Sequence, residues 1–589
     1  MEWSVDDTDE GGVLHVIVTT SLTLHTLRDA MAIAAAIPRR HSVTRLHVSH
    51  PHTTLSMQLL DAVVRELGRV FSHCACLEWS LIGAKNVPSL AWLAALWRDV
   101  WCLAPSTPRQ IRLHLDSHHV THDVASLDLL QPHLDGLYIR AKATMPTLVP
   151  QLGSLTMLTE LCLAKTFSSW NRHVLASFLT KLAPYPRSRK QHTYLPYLTT
   201  LSLTNNMFNA DDVVGLVTAL RYHDTLRHLS LAYSLPHMTA KTGQWISAGL
   251  LHSPYSNLQS LNLSGLSIHQ DAAHAMIGCH DLSDVAPPPP NIAHGVPHSP
   301  VPRGLYAIPA TILLQHHGNW QISSHSSSTY NVEVVCSTAL DVAVVVPGGG
   351  IVWLDRYKFP MQQLCPDVKQ QAHKDKHMRE LVLDDLTSAN VVVPLLTSFP
   401  NVRSLQRLRL RRYGLTTDEL REVLRCCPLL VALDLQACQL SDVSPLIEAW
   451  RSPPYPSVLQ RLNVAKNVLG LVGATAIFQS LAECPHLQVL DISHNCIGSS
   501  ALDTLHDALQ DNHTLQTITI DATPEGDALS KDHHGTPLHV LPLSVEVQQA
   551  CFHALYRKLE HQHMLDPSVV RSIFQFAAPT VYRRVRQVP

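Results

Sequence analysis

The chain has 589 residues, of which 46% are hydrophobic and 16% charged, with a formal net charge of −2. That balance suits a well-buried core rather than disorder, and near-neutrality leaves no overall field for nucleic acid or an acidic membrane surface. The first residues, MEWSVDDTDEGG, are acidic and lack a basic segment followed by an apolar one, so no secretory signal is expected. No uninterrupted apolar run reaches ~18 residues, which argues against a transmembrane helix. The 13 cysteines are odd in number and scattered, as expected of reduced thiols in the cytoplasm or nucleus. On that reading the sequons at Asn262 and Asn512 are chance matches.

An acidic tail is expected over 1–12. After it a phrase of the form L-x-x-L-x-L-x-x-N/C recurs. It reads LTTLSLTNN from Leu198, LVALDLQAC from Leu430, LQRLNVAKN from Leu459 and LQVLDISHN from Leu487. The steps from Leu459 to Leu487 and from Leu487 to Leu515 are both 28 residues. Taking the first position of each phrase, repeats begin at Val13, Val43, Cys74, Pro108, Leu134, Leu158, Leu198, Leu226 and Leu258. They resume at Met378, Leu405, Leu430, Leu459, Leu487 and Leu515. The first four are degenerate: VLHVIVTT and VTRLHVSH keep the apolar spacing and lose the Asn or Cys.

Within each phrase the apolar residues alternate, which predicts a short strand with one buried face. The ninth residue, Asn467 or Asn495 for example, bends the chain and can bond the turn backbone. A helix should come next. Val213, Leu216, Val217 and Leu220 stand at i, i+3, i+4, i+7, as do Leu420, Val423, Leu424 and Cys427, and Ala474, Ile477, Phe478 and Leu481. Period and phrase mark leucine-rich repeats. NVLGLVGATAIFQSL and NCIGSSALDTLHDAL resemble the ribonuclease-inhibitor subtype. The resemblance covers roughly 13–523 apart from one gap. It implies an α/β solenoid, a curved horseshoe with a parallel inner sheet and outer helices, and it is nearly silent on function.

Repeats are therefore expected over 13–281 and 378–523. The gap, 282–377, reads as a Pro-rich insertion. It contains the run Pro287 to Pro290 and the phrase VPHSPVPRG, so 284–303 should be a loop. Its later run VEVVCSTALDVAVVVP is β-like and leaves two readings open: one degenerate repeat, or a small β excursion. A linker is expected over 524–543. The segment 544–589 is expected to be helical, with Asp566 and Pro567 at its start and an apolar stripe of Val569, Val570, Ile573, Phe574 and Ala577. It would cap the last repeat's core. The alternative is a docking helix assisted by Arg583, Arg584 and Arg586.

No P-loop, H-E-x-x-H, G-x-S-x-G or C-x-x-C phrase occurs, so no catalytic residue is nominated. The 38 histidines include the clusters His118, His119, His122 and His533, His534, His539. Neither has a matching Cys or carboxylate pattern, so no metal or other cofactor is expected. The consequence of so many imidazoles is sensitivity to pH below about 6.5. The strongest polar feature is RSLQRLRLRRYGL, where Arg407, Arg409 and Arg411 alternate and share one strand face. They form either a site for an acidic partner or a ladder neutralised by its neighbours. In register, Glu380 abuts Arg407, Asp384 abuts Arg411, and Asp434 abuts Arg409. Arg461, Asn463 and Asp491 extend this face. Its mixed signs suit a protein partner better than a phosphate backbone. The expected function is a non-catalytic protein-interaction scaffold or adaptor, with no nucleic acid, membrane or small-molecule substrate implied. Two alternatives are a substrate-recognition subunit of a ubiquitin-ligase-like assembly, docked through 544–589, and a regulator of a small GTPase. The second rests on a resemblance to the fold of the Ran GTPase-activating protein. That family carries an acidic tail where this chain ends basic.

Overall fold

The computed structural model describes residues 2–8, 11–17, 43–49, 61, 65, 76–80, 90–101, 110–116, 124–131, 133–140, 145–167, 172–182, 195–235, 237–286, 301–309, 329–338, 341–346, 350–356, 363–366, 377–451, 458–538 and 581–588. The chain forms two compact units: Met1–His377 with Ser398–Pro400, and Met378–Thr397 with Asn401–Pro589.

In the first unit β1 (Glu2–Thr8) pairs antiparallel with β2 (Gly11–Ile17). A parallel row then runs from β2 through β3 (Val43–Ser49), β4 (Cys76–Ser80), β5 (Gln110–Asp116), β6 (Leu134–Arg140), β7 (Glu160–Ala164), β8 (Thr200–Ser202), β9 (His228–Ser230) and β10 (Ser260–Asn262). The acidic tail expected over 1–12 is thus corrected: β1 lies within it, satisfying its backbone groups against β2.

The stretch 282–377 holds β11 (Gly304–Pro309), β12 (Thr329–Ser337), β13 (Asp341–Val346), β14 (Gly350–Asp355) and β15 (Gln363–Pro366). They form a separate sheet in the order β14-β13-β12-β11-β15, and every pairing is antiparallel. A repeat strand would pair parallel to its neighbours, so the β excursion, not a degenerate repeat, accounts for these strands. Residues 287–300, with the Pro run, lie outside the described residues.

The second unit has its own parallel row: β16 (Glu380–Val382), β17 (Arg407–Arg409), β18 (Ala432–Asp434), β19 (Arg461–Asn463), β20 (Val489–Asp491) and β21 (Thr517–Asp521). Three more strands come after the helix Pro524–His533. β22 (Pro537–Leu538) pairs antiparallel with β23 (Val581–Tyr582), and β24 (Arg584–Val588) adds parallel to β21. The helix and β22 stand where a linker was expected, and β23 and β24 stand where helix was expected. The nominated start and stripe, 566–577, lie outside the described residues.

Strands this short are held in place by the turn and helix at their C-terminal ends. Leu198, Leu201 and Leu203 are buried while Thr200 and Ser202 are half-buried, the alternation of a one-sided strand. The chain then turns at Asn206, which is fully buried. Its Nδ2 donates to the carbonyls of Leu163 (2.9 Å) and Leu203 (2.7 Å), and its Oδ1 accepts from the N–H groups of Thr166 (2.9 Å) and Phe167 (2.8 Å). Asn209 next caps the helix Ala210–Leu220 in a capping box with Asp212. Val213, Leu216, Val217 and Leu220 are buried on that helix, as their spacing predicts.

The antiparallel sheet is tied to this helix's C-terminus by a buried ion pair. Arg221, only 2% exposed, donates from Nε to Glu333 Oε2 at 2.8 Å and from Nη2 to Oε1 at 2.9 Å. The Tyr222 hydroxyl donates to the same carboxylate at 2.7 Å. Removing one member of such a pair leaves a buried charge uncompensated. Glu333→Ala should therefore lower stability by about 3–5 kcal/mol in urea denaturation followed by circular dichroism.

His223, beside this pair in sequence and 4% exposed, is a second sensitive point. Burial pulls its imidazole down to about 4 from the ordinary 6.5, with Asp224 opposing weakly. The unfolded chain therefore binds a proton that the folded chain refuses. Stability should be intact above pH 6.5 and should fall by up to about 3 kcal/mol as pH drops from 6.5 towards 4. His223→Gln should flatten that part of a stability profile measured in urea.

Candidate protein-interaction surface

The nominated residues lie on or just after β16–β20. One register row runs Glu380, Arg407, Ala432, Arg461, Val489, and the next runs Val382, Arg409, Asp434, Asn463, Asp491. Leu408, Leu433, Leu462 and Leu490, between the rows, point into the core and are buried. The polar side chains are thereby committed to the opposite face.

Their ion pairs run diagonally. Arg409 Nη2 lies 2.6 Å from Asp384 Oδ2, and Arg411 Nη2 lies 2.6 Å from Asp434 Oδ2. The straight-across pairings expected of the side chains, Arg409 with Asp434 and Arg411 with Asp384, are replaced by these. The backbone is the reason. Asp384 Oδ1 already accepts the Arg411 N–H at 3.0 Å, which aims its other oxygen at Arg409. Hydrogen bonding to Asp434 raises the Arg411 pKa above its ordinary value. Arg412 makes a further pair with Asp385, and Arg407 is exposed beside Glu380 in register.

Three nominated residues also hold turns. Asp434, Asn463 and Asp491 accept through Oδ1 from the backbone N–H two residues on, at Gln436 (3.2 Å), Ala465 (3.0 Å) and Ser493 (3.2 Å). This is the Asx turn, in which a short carboxylate or amide substitutes for a backbone acceptor. Arg461 is exposed on β19. Arg583, assigned on sequence to a basic docking tail, is 1% exposed and donates to the carbonyls of Leu509, Asn512 and Leu515.

The first unit carries a polar network that the sequence did not disclose. His114 Nε2 on β5 sits 2.7 Å from Glu78 Oε1 on β4, and its ring stacks on Tyr138 of β6 at 4.1 Å between centroids. The Tyr138 hydroxyl donates to Glu160 of β7, and Arg112 of β5 lies 2.7 Å from the same carboxylate. Burial first, and then the Glu160 charge, raise the Tyr138 phenol well above its ordinary range. Gly136 opposite Arg112 makes room, since a Cβ there would stand 2.9 Å from Arg112 Cγ. Alternation in QIRLHLD and LDGLYIR was the available signal, obscured because these repeats lack the Asn.

Of the histidine clusters, 118–122 and His539 lie outside the described residues, while His533 and His534 end the helix Pro524–His533. Among the described residues no group of three or more His, Cys, Asp or Glu is placed to hold a metal, and no helix is long and apolar enough to cross a membrane.

Parallel three-residue strands, leading into a turn and a helix and closed by Asn206 in the first unit and by Asn467 and Asn495 in the second, recur in both units, and residues 483–505 match the family described as Leucine Rich repeat. This is a leucine-rich-repeat chain. It is similar to the leucine-rich repeat-containing protein LegL7 from Legionella pneumophila, at 15% identity and a TM-score of 0.28, over 59% of this chain and 85% of that one. It is also similar to a protein from Bacteroides fragilis, at 12% identity and a TM-score of 0.27, over 44% and 71% of the two chains. A third similarity is to the TLR13–ssRNA13 complex, at 12% identity and a TM-score of 0.37, over 86% of this chain and 57% of that one.

The arginine pairs are solvent-washed, with Arg409 40% and Arg411 34% exposed. Screened pairs of this kind contribute about 0–1 kcal/mol. Arg411→Ala should thus change unfolding free energy by less than about 1 kcal/mol in urea titrations, and Arg409→Ala, which leaves the buried Asp384 carboxylate without its cation, should cost more than Arg411→Ala.

Proposed function

We propose that this leucine-rich-repeat chain is a non-catalytic interaction scaffold and that a protein partner lies across the strand face of β16–β20. The repeats supply the general role: a wide surface, formed before binding, which limits ordering costs. The observation that carries the finer reading is the charge arrangement. Arg407, Arg409 and Arg411 line one strand edge, with Asp384 and Asp434 paired diagonally among them. Arg461, Asn463 and Asp491 continue the face on the next two strands. Opposite charges thus alternate at the strand spacing of about 4.8 Å. Such a surface complements a folded protein of mixed charge better than a phosphate backbone of one sign. The Arg411–Asp434 pair costs little to rearrange because both side chains reach solvent, so a partner's carboxylate can take Arg411, while Arg409 stays committed to the buried Asp384. The repeat subtype we assign is the ribonuclease-inhibitor-like one. Buried thiols at core positions such as Cys438 support a reducing compartment, the cytoplasm or nucleus.

Replacing Arg407, Arg409 and Arg411 together with Glu should abolish capture of the main partner in affinity purification, while far-UV circular dichroism stays that of the wild type. Recovery of the same partners by wild type and variant would assign the ladder to structure alone.

A further inference from the structure

The strand β24 completes the second parallel row without a repeat of its own. It is held to the last repeat by backbone and arginine hydrogen bonds and by one contact that needs an unprotonated histidine. Arg584 N–H donates to Gln516 O at 2.6 Å, and Ala522 N–H donates to Val588 O at 2.9 Å. Beside these ladder bonds, Val585 N–H donates to Nδ1 of His534 at 3.2 Å. Just before β24, Arg583 exchanges bonds with the turn after the helix: Gly535 N–H to Arg583 O at 2.9 Å, and Arg583 N–H to Thr536 O at 3.0 Å. Its guanidinium runs inward to the last carbonyls of the helix Ser499–Asp511, at Leu509 and Asn512, and to Leu515. Those carbonyls form the negative end of the helix and lack intrahelical partners. They are what holds a cation that is 1% exposed.

Against this buried cation stand two histidines. His533 Nε2 lies 3.1 Å from His506 Nδ1, with His533 7% exposed. Asp532 Oδ2 is 3.9 Å from His506 Nδ1. The groups facing His533 are therefore His506 from one helix, Asp532 and His534 from its own, and Arg583 from the strand side.

We propose that His506, His533 and His534 form a pH-operated latch that holds β24 against β21 at neutral pH and releases it as pH falls. A hydrogen bond between two imidazoles needs a neutral nitrogen to accept. With one proton added to the pair, one ring donates and the other still accepts. A second proton on His533 removes the acceptor and sets two imidazolium ions 3.1 Å apart beside Arg583. Protonation of His534 removes the acceptor for Val585 N–H in the same way. Burial, then His506 and Arg583, hold the His533 imidazole below its ordinary 6.5. The latched form therefore binds fewer protons than the released form. Its stability is whole above about pH 6.5 and is lost as pH falls below that value. Release uncovers the main-chain edge of β21, a surface able to pair with another strand.

Hydrogen–deuterium exchange of the full chain, read by mass spectrometry and corrected for the intrinsic rate, tests this. Protection of 584–588 should drop at least about tenfold between about pH 7 and pH 5, the linkage of one proton, while 461–463 and 489–491 stay protected. The double variant His533→Gln, His534→Asn should keep 584–588 protected at pH 5. The single variant His534→Asn alters an exposed side chain, retains an acceptor that cannot titrate, and should shift the loss to lower pH. Unchanged protection of 584–588 in the wild type would overturn the latch. So would loss in step with 461–463, or a pH dependence that His534→Asn leaves unmoved.

Discussion

The constraint on which the rest of the structure depends is the closing of each turn by one buried side chain at the ninth position of the repeat. A strand of three residues makes too few ladder bonds to fix its own end. Asn467 supplies the missing ones. Its Oδ1 accepts from Cys438 N–H and Leu440 N–H at 2.8 and 3.1 Å, and its Nδ2 donates to Leu435 O and Val464 O at 2.9 and 2.8 Å. Three of these partners belong to the turn of the preceding repeat, so one amide fixes two repeats at once. Asn495 repeats the pattern one step on, donating to Val464 O and Ile492 O. Each buried polar group in these turns would otherwise cost about 1–3 kcal/mol unsatisfied. The side chain is thus required by the backbone it closes.

Cys438 and Ser234 keep the same bond by other means, whereas Leu266 and Leu386 fill the position with apolar bulk. Cys438 places Sγ 2.6 Å from Leu410 O, and the Ser234 hydroxyl donates to Leu203 O. Tyr413 is too large to turn inward in that way. It is buried, and its hydroxyl donates to Glu419 Oε1 at 2.8 Å. Glu419 then accepts Val392 N–H at 3.2 Å, restoring a link to the preceding repeat through a longer path. Burial raises both the Glu419 carboxyl and the Tyr413 phenol above their ordinary values. What the repeats share is the satisfied turn carbonyl or N–H, and the residue type depends on how much room the turn leaves.

This explains which parts were legible in the sequence. Periodicity located fifteen strands within about two residues, because an apolar row leaves a mark that survives even in VLHVIVTT, where the ninth-position Asn or Cys is lost. Helix faces were legible for the same reason, at Leu216 and Ile477 alike. The antiparallel sheet was legible only as β-like, since alternation in VEVVCSTALDVAVVVP is the same for either strand direction. The pairing of Arg409 with Asp384 was out of reach: register could be counted, but the backbone bond that aims Asp384 could not. Nor could a sequence tell that Arg583 points inward while Arg584, its neighbour, lies on the exposed face of a strand. The network from Glu78 to Arg112 was hidden because weak repeats drew no attention to their polar face.

Where the repeats are interrupted, a different chemistry takes over from the Asn turn. The helix Ala210–Leu220 ends at Arg221, whose charge is matched by Glu333 from an inserted sheet. The helix Ser499–Asp511 ends near Arg583, whose guanidinium is held among the described residues by carbonyl oxygens. Both junctions bury a guanidinium at the end of a repeat helix, where unpaired carbonyls favour a cation. Each also has a histidine close by in the chain or in space, His223 in one case and His533 in the other, and burial holds both imidazoles below their ordinary range. An Asn turn has no group that titrates near neutrality, so the turn itself is closed alike at neutral pH and in modest acid. The two junctions each bury an imidazole, and at His533 an added proton also meets the Arg583 charge. The Asn turns thus close the repeats without a titrating group, while the two junctions each set a buried imidazole near a buried guanidinium.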